Sequence, residues 1–226
     1  MSNTVFCTQV QLPPLGSIDV GYTDRGICYL AIAQTEEAFR RQVQDQFGVS
    51  PVVDRSRQAQ YQDLLDRWFA GNPVEPDLDL SHLSAFDQKV AAICQAIPRG
   101  AVRPYQWLAR EAGKPGASRA VGGTMARNPV PLLVPCHRVV AASGQIGNYS
   151  MGGPAVKRLL LEHEGVDLVR LETLARKGYR FKGSKNTGIF CYPTCRGIEP
   201  ENEVLFHNAE EAVAAGFRPC KVCRPL

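Results

Sequence analysis

Residues 128–140 read NPVPLLVPCHRVV, and the interpretation of the whole chain starts from this stretch. Its prolines bracket residues 132–134, which are predicted to form a short apolar strand. Proline fixes φ and removes a backbone donor, so the turn that carries Cys136 is expected to be stiff. His137 and Arg138 follow directly, and positive neighbours raise the thiolate fraction of a cysteine. A buried structural cysteine beside a surface histidine is the simpler alternative, so the stretch needs support from its surroundings.

The segment before this stretch has the pattern of a helix-turn-helix. Pro104 suits the first position of a helix, and residues 105–112 place their apolar side chains on one face. The sequence GKPG at residues 113–116 ends that helix, and a second helix is predicted over residues 118–127. Such units are common packing devices, so the pattern alone is weak support for DNA binding.

The charge of the chain is unevenly distributed along its length. Residues 1–97 carry seven basic and twelve acidic residues, whereas residues 98–170 carry ten basic and four acidic ones. Residues 171–226 carry nine basic and six acidic residues, and the net charge is +4. The excess of positive charge around the helix-turn-helix favours a polyanionic partner; a solvated surface with scattered charges is the alternative.

Three regions of different fold class are predicted. Residues 1–76 are predicted to form an α/β scaffold with a small antiparallel sheet, because a hairpin pattern over residues 17–33 precedes two amphipathic helices. Residues 72–81 contain prolines and acids and form the candidate linker. Residues 77–170 are predicted as a mainly α domain with the helix-turn-helix, and residues 171–226 as a small α+β module with four of the eight cysteines.

The composition excludes several classes of protein. The chain is 44% hydrophobic and 21% charged, which is typical of a globular protein. It contains no uninterrupted run of about 18 apolar residues, so no membrane-spanning helix is expected. The first residues lack the pattern of a secretory signal, so we expect a cytoplasmic, reducing location and a monomer. Cys7, Cys28 and Cys94 are therefore interpreted as small buried hydrophobic residues.

The stretch around Cys136 resembles the active-site signature of the O6-alkylguanine-DNA alkyltransferases. The resemblance is carried by PCHRV at residues 135–139 and by five further motifs in the family's order: YQWLA at 105–109, RAVGG at 119–123, NPVP at 128–131, GNYS at 147–150 and HEG at 163–165. It covers roughly residues 1–170 and is densest between residues 86 and 165. Because several independent motifs agree, the resemblance is specific.

The resemblance implies a direct, single-use repair of alkylated guanine in double-stranded DNA, with O4-alkylthymine as a further candidate substrate. Cys136 is implied to accept the alkyl group, and His137 to take its proton through a water molecule while Glu164 orients the imidazole. Asn128 is implied to brace the turn. Tyr105 is implied to push on the phosphate beside the target or to protonate the leaving guanine.

The alkylated base must leave the helical stack before the sulfur can reach it, so the resemblance also implies residues that hold DNA and the extruded base. The implied DNA-binding residues are Arg119, which enters the stack, with Tyr105, Ser150 and Arg127. The implied pocket residues are Tyr149, Ser150 and Val139. Met151 is an extra residue in the pocket loop relative to the family pattern, which leaves the range of accepted alkyl groups open.

The four cysteines near the carboxyl end have the spacing of a metal site. Cys191 and Cys195 form C-x3-C, and Cys220 and Cys223 form C-x2-C. Four thiolates in two such pairs suit tetrahedral zinc, whereas the inferred reducing compartment argues against disulfides. The module has few apolar residues, so a structural Zn²⁺ would supply stability that it otherwise lacks.

The sequences NTGIFCYPTC at residues 186–195 and AGFRPCKVC at residues 215–223 resemble the metal-binding domain of the Ada-type adaptive-response proteins. That resemblance implies that Cys191 is a second acceptor, which takes a methyl group from a DNA phosphotriester while zinc keeps it deprotonated. Docking on DNA and a purely structural role are the alternatives. For the whole chain, a lesion sensor without turnover and a multiple-turnover cysteine hydrolase are the alternative functions.

Overall fold

A computed structural model describes residues 4–33, 35–195, 198 and 200–226. Its first sheet contains β1 (Phe6–Leu12), β2 (Gly16–Thr23), β3 (Gly26–Ile32) and β4 (Val52–Val53) in the order β3-β2-β1-β4. β1, β2 and β3 are antiparallel neighbours, and β4 pairs parallel to β1. β2 and β3 confirm the predicted hairpin. β1 was not predicted, although its buried Val10 and Leu12 alternate with exposed glutamines.

Two helices pack beside this sheet. Thr35 caps α1 (Glu36–Phe47) by accepting a hydrogen bond from the backbone N–H of Ala38, and Gly48 ends it at φ 72°. The next helix, α2 (Gln58–Phe69), buries Tyr61, Leu65 and Trp68. Its contacts are mainly with β1. The spacing of those side chains, three and four residues apart, places them on one face.

The candidate linker, residues 72–81, is attached to the sheet through its backbone. Ile27 donates its N–H to the carbonyl of Asp77 at 2.8 Å, and Asp79 donates to the carbonyl of Ile27 at 2.9 Å. Gly26 is required here: its φ is +140°, and a Cβ at this position would lie 2.2 Å from the carbonyl oxygen of Asp77.

The helical part contains α3 (Ala85–Gln95), α4 (Tyr105–Glu111), α5 (Ser118–Ala126), α6 (Gly153–His163) and α7 (Leu168–Arg176). The predicted helix-turn-helix is confirmed as α4 and α5. The two-residue strands β5 (Arg103–Pro104) and β6 (Val139–Val140) pair in parallel with each other. α7 runs through the predicted boundary between residues 170 and 171.

The predicted strand over residues 132–134 is wrong. These residues form a tight turn in which Leu132 has φ 77° and Val134 donates its N–H to the carbonyl of Val130 at 2.9 Å. Only an isolated bridge joins Pro131 and Val134. The neighbouring prolines cannot donate to a strand ladder, so the chain turns back and enters the 3-10 helix Cys136–Arg138.

The last part of the chain contains a second four-stranded sheet. Its strands are β7 (Phe181–Ser184), β8 (Ile189–Cys191), β9 (Glu203–Phe206) and β10 (Arg218–Pro219), in the order β10-β8-β7-β9, with the 3-10 helix Pro200–Asn202 and the short helix α8 (Ala209–Ala214). One hydrophobic cluster contains residues of all three predicted regions: Val10, Ile18, Leu65, Val90, Leu108, Leu160, Cys191 and Tyr192 are examples. Over the described ranges, no helix has the length and apolar character needed to cross a membrane.

Candidate active site and metal centre

Cys136 lies at the start of the 3-10 helix and is only 3% exposed. The side-chain amide of Asn128 donates to its Sγ at 3.1 Å and to the carbonyl of Val134 at 2.8 Å. The backbone N–H of Val130 in turn donates to Asn128 Oδ1 at 3.2 Å. Asn128 therefore fixes the proline turn and holds the sulfur in one direction. This is the bracing position that the resemblance implies for Asn128.

His137 and Arg138 both contact Glu164. His137 Nε2 lies 3.0 Å from Glu164 Oε1, and Arg138 donates to both carboxylate oxygens, at 2.7 and 2.9 Å. Arg138 also donates to the carbonyl of Ile97 at 2.6 Å. The expectation that Arg138 stabilises the thiolate is therefore wrong, because its guanidinium is committed to the carboxylate.

The electrostatics of this buried triad favour a neutral imidazole and an ionised carboxylate. Burial alone raises the pKa of Glu164, but the hydrogen bonds from His137 and Arg138 outweigh it and lower that pKa to about 2. Burial lowers the pKa of His137, although Glu164 works in the opposite direction. Nδ1 of His137 is buried and has no hydrogen-bond partner in the described part of the chain. That nitrogen is free to accept a proton.

Lys157 was missed by the sequence analysis. Its side chain is fully buried, and its Nζ donates to the carbonyls of Val139 at 2.6 Å and Asn148 at 3.3 Å. Burial lowers the pKa of Lys157 to about 8. The available signal was its position on the inner face of α6, because Leu160, Leu161 and Glu164 follow at helical spacing.

Opposing effects act on the pKa of Cys136. Burial has the larger effect and raises the pKa of the Cys136 thiol above its ordinary value, although the hydrogen bond from Asn128, the positive charge of Lys157 and a hydrogen bond from Ser150 lower it. Lys157 and Asn128, rather than His137 and Arg138, thus support the charged form of this sulfur.

A cavity of ≈ 320 Å³ opens beside the sulfur. It is lined by Tyr105, Gly122, Met125, Ala126, Cys136, Asn148, Tyr149 and Ser150. Burial raises the pKa of Tyr105, so its phenol stays protonated at neutral pH. Val139 does not line this cavity; it is fully buried in β6. Met151 is buried beneath the loop, with its sulfur 4.0 Å from the hydroxyl of Tyr149.

The cavity is bounded on one side by α5, which contributes Gly122, Met125 and Ala126. A Cβ added at Gly122 meets nothing within 4 Å, so there is open space at this edge. Arg119 is exposed on the same helix, and Arg127 is exposed at its end, with Nη2 3.8 Å from Asp87 Oδ1. The predicted DNA-binding arginines therefore belong to the helix that bounds the cavity.

The four carboxyl-terminal cysteines converge. The Sγ atoms of Cys191, Cys195, Cys220 and Cys223 all lie within 4.8 Å of one another. Such a set of sulfurs fits a tetrahedral metal ion with a metal–sulfur distance of about 2.3 Å. Cys191 and Cys223 are buried, whereas Cys195 and Cys220 are partly exposed. Hydrogen bonds from Cys191 and Cys223, together with the charge of Arg103, lower the pKa of Cys195.

Residues that sequence reasoning missed join this centre to the helix-turn-helix. Thr194 Oγ1 accepts a hydrogen bond from the backbone N–H of Val102 at 2.9 Å. Arg110 donates to the carbonyls of Arg224 and Pro225 at 2.5 and 3.4 Å. No local sequence pattern marks these contacts, because their partners lie roughly a hundred residues apart.

The chain was compared with known families and proteins. Residues 85–166 match the family described as "6-O-methylguanine DNA methyltransferase, DNA binding domain". Residues 174–225 match the family described as "Metal binding domain of Ada".

Individual relatives cover different shares of the chain. A methylated-DNA--protein-cysteine methyltransferase of Cricetulus griseus is 55% identical over 74 residues, which cover 33% of this chain and 35% of that relative. One of Methanothermobacter thermautotrophicus is 32% identical over 160 residues, 69% of this chain and 83% of the relative. The crystal structure of Mycobacterium tuberculosis OGT in complex with DNA has a TM-score of 0.57 at 30% identity and covers 73% of this chain and 98% of that one. With its cysteine, histidine and glutamate arranged as described above, the chain belongs to the methylated-DNA--protein-cysteine methyltransferase family.

Proposed function

We propose that this protein repairs DNA by moving an alkyl group from O6 of guanine to the sulfur of Cys136, once per molecule. The observation that carries the proposal is the position of that sulfur. It is buried and held by Asn128, and it lines a cavity that α5 bounds through Gly122, Met125 and Ala126. A cavity of ≈ 320 Å³ falls at the lower end of the range of small-molecule pockets, about 300–1,000 Å³.

The duplex is proposed to dock on α5 with the alkylated base turned out of its stack. Arg119 is exposed and can occupy the gap that the base leaves, and Gly122 allows the nucleic-acid backbone to come close. Ser150 and Tyr149 line the pocket, and the exposed Arg127 at the end of α5 supplies a further positive charge for the duplex. A weakly paired, alkylated guanine is cheaper to extrude than a normal one, which gives selectivity.

The transfer itself is a displacement at carbon. The thiol proton of Cys136 passes to the free Nδ1 of His137, directly or through one water molecule, and Glu164 stabilises the imidazolium that forms. The thiolate attacks the alkyl carbon, a carbon–sulfur bond forms and the bond from carbon to O6 breaks. The guanine that leaves takes a proton from Tyr105, whose phenol lines the same cavity. The thioether product has no leaving group that restores the thiol, so the protein is consumed.

The test is stoichiometric. Incubation with duplex DNA containing O6-methylguanine is expected to add one methyl group per protein molecule, measured by intact mass and located at Cys136 by peptide mapping. Cys136→Ala should bind the lesion DNA and accept nothing. Cys94→Ala is the matched control, because Cys94 is equally buried but lines no part of the cavity; it should accept one methyl group. Continued turnover would support the hydrolase alternative, and binding without an adduct would support the sensor.

For the carboxyl-terminal module we propose a structural zinc ion held by Cys191, Cys195, Cys220 and Cys223. When bound, the metal keeps the thiolates deprotonated and ties the two cysteine pairs together. The support is the convergence of the four sulfurs, which are contributed by two segments some 25 residues apart. One equivalent of zinc in the purified protein, measured by inductively coupled plasma mass spectrometry, is the expected result.

We propose that Cys191 is a metal ligand and not a second methyl acceptor. Its side chain lines a separate cavity of ≈ 380 Å³ that shares no residue with the cavity beside Cys136. A duplex docked on α5 is therefore not expected to bring a phosphotriester to that sulfur. Cys136→Ala protein incubated with DNA that carries methylphosphotriesters is therefore expected to gain no methyl group. An adduct at Cys191 in the peptide map would establish the acceptor role instead.

A further inference from the structure

Arg103 is an arginine buried between the helix-turn-helix and the cysteine cluster. Only 3% of it is exposed, and its guanidinium lies over two aromatic rings, 5.7 Å from the ring centre of Trp107 and 5.4 Å from that of Tyr192. Trp107 belongs to α4, and Tyr192 follows Cys191 directly. The guanidinium therefore bridges the two parts of the chain.

The side chain of Arg103 has fewer hydrogen-bond partners than its buried nitrogen atoms need. Nη1 donates to the carbonyl of Val102 at 2.8 Å, but the buried Nε has no hydrogen-bond partner in the described part of the chain. No carboxylate within the described ranges forms an ion pair with it. A buried cation without a counter-charge costs several kcal/mol, so a compensating negative charge is expected nearby.

The cysteine cluster supplies that charge. Arg103 lines a cavity of ≈ 380 Å³ together with Cys191, Cys195 and Cys220, three of the four converging cysteines. Four thiolates around one divalent ion carry a net charge of −2, which itself requires compensation when the site is partly buried. Arg99 lines the same cavity, but its guanidinium donates to the carbonyls of Trp68, Phe69 and His163.

We propose that Arg103 is the charge partner of the four-thiolate metal site, and that this pairing locks the metal-binding module onto the alkyltransferase part. The aromatic rings of Trp107 and Tyr192 exclude water from the pair and orient the guanidinium. The strand β5, which starts with Arg103, pairs with Val139 and Val140 of β6, directly after the active-site 3-10 helix. Through this strand pairing, Arg103 connects the metal site to the segment that follows Cys136.

The inference rests on the proposed binding of zinc by the four cysteines. The experiment tests zinc binding and charge pairing by Arg103 separately. Zinc affinity of the full-length protein is measured by competition with a chromophoric chelator for wild type, Arg103→Met, Arg103→Lys and Arg110→Gln. Arg110→Gln is the matched control, because Arg110 also joins the two parts but donates to backbone carbonyls. Loss of an outer partner of a metal site lowers metal affinity by about 10- to 100-fold.

We expect that loss for Arg103→Met, partial recovery for Arg103→Lys, and wild-type affinity for Arg110→Gln. Equal affinities for wild type and Arg103→Met, or equal losses for the Met and Lys variants, overturn the charge pairing. A wild-type protein without zinc overturns the metal proposal as well.

A second measurement leaves Arg103 in place, in case Arg103→Met does not fold. The chain has two tryptophans, so Trp68→Phe leaves Trp107 as the only one. Arg224 also lies over the Trp107 ring, at 5.7 Å, so the measurement is made with Arg224→Gln as well. Removal of zinc by a chelator should shift the emission of Trp107 in both proteins, because the guanidinium of Arg103 over its ring loses the charge that holds it. Emission that is unchanged on zinc removal overturns the proposal.

Discussion

Glu164→Gln tests the buried triad most directly. In the wild-type protein Glu164 is 4% exposed. Its carboxylate accepts hydrogen bonds from Arg138 and lies against His137. Glutamine keeps the shape but removes the charge, so the guanidinium of Arg138 stays buried without its counter-ion. Breaking a buried pair in this way costs about 3–5 kcal/mol.

The pKa of Glu164 gives a second route to the magnitude. The difference between the ordinary value of 4.5 and about 2 corresponds to about 3 kcal/mol of stability at pH 7. Because the pKa is lowered in the folded state, this stabilisation is complete above pH 4.5 and is lost as the pH falls towards 2. We therefore expect Glu164→Gln to lower the free energy of unfolding by about 3 kcal/mol at pH 7, with a difference that shrinks below pH 4.5.

The assay is urea unfolding followed by tryptophan fluorescence. Trp68 reports on the triad, since its ring centre lies 6.0 Å from that of His137. The matched control is Glu172→Gln, which breaks the ion pair of Glu172 with Arg158 at the surface, where such pairs contribute about 0–1 kcal/mol. The reasoning is refuted if both variants unfold at the same urea concentration at pH 7, or if the loss in Glu164→Gln is the same at pH 3 as at pH 7.

Three further outcomes follow from single contacts. Lys157→Met removes a positive charge that lowers the pKa of Cys136, so the pH profile of the single-turnover alkyl transfer rate should move to higher pH; an unmoved profile contradicts this. Arg119→Ala should weaken binding to lesion-containing duplex in fluorescence anisotropy while the free energy of unfolding changes by no more than about 0.5 kcal/mol, because the side chain is exposed. Gly26→Ala should destabilise the protein by about 2 kcal/mol or more in urea unfolding, whereas Gly16→Ala, with φ +87° but open space around it, should cost less. Equal losses for the two glycine variants would show that the close carbonyl oxygen does not matter.

Helices and the hairpin were predictable because their signals are local. Ser84 and Asp87 are three residues apart and cap α3, with the side chain of Ser84 accepting from the N–H of Asp87 at 3.1 Å. The turn over residues 132–134 was not predictable from apolar character, because an apolar run reads the same in a strand and in a buried turn. Only the backbone conformation of Leu132 distinguishes them.

The roles of charged residues in the site were harder to predict than their identities. The sequence places Arg138 next to Cys136, but the fold directs its guanidinium to Glu164. The charge that does act on the sulfur comes from Lys157, which lies 21 residues further along the chain. Neighbours in sequence share a backbone, whereas electrostatic partners are set by the packing of separate elements.

The kinds of chemistry available can be read from the amino-acid sequence: a cysteine on a stiff proline turn, a histidine beside it, a helix-turn-helix with positive charge, and two cysteine pairs at metal-binding spacing. Residue type and short spacing specify these features, because side-chain chemistry and local backbone preferences need no distant partner. Which groups meet depends on tertiary packing, as the cavity beside Cys136 and the burial of Arg103 against the cysteine cluster show. Those juxtapositions depend on how helices and sheets pack across a hundred residues of chain, and their energies come from burial, which no single segment determines.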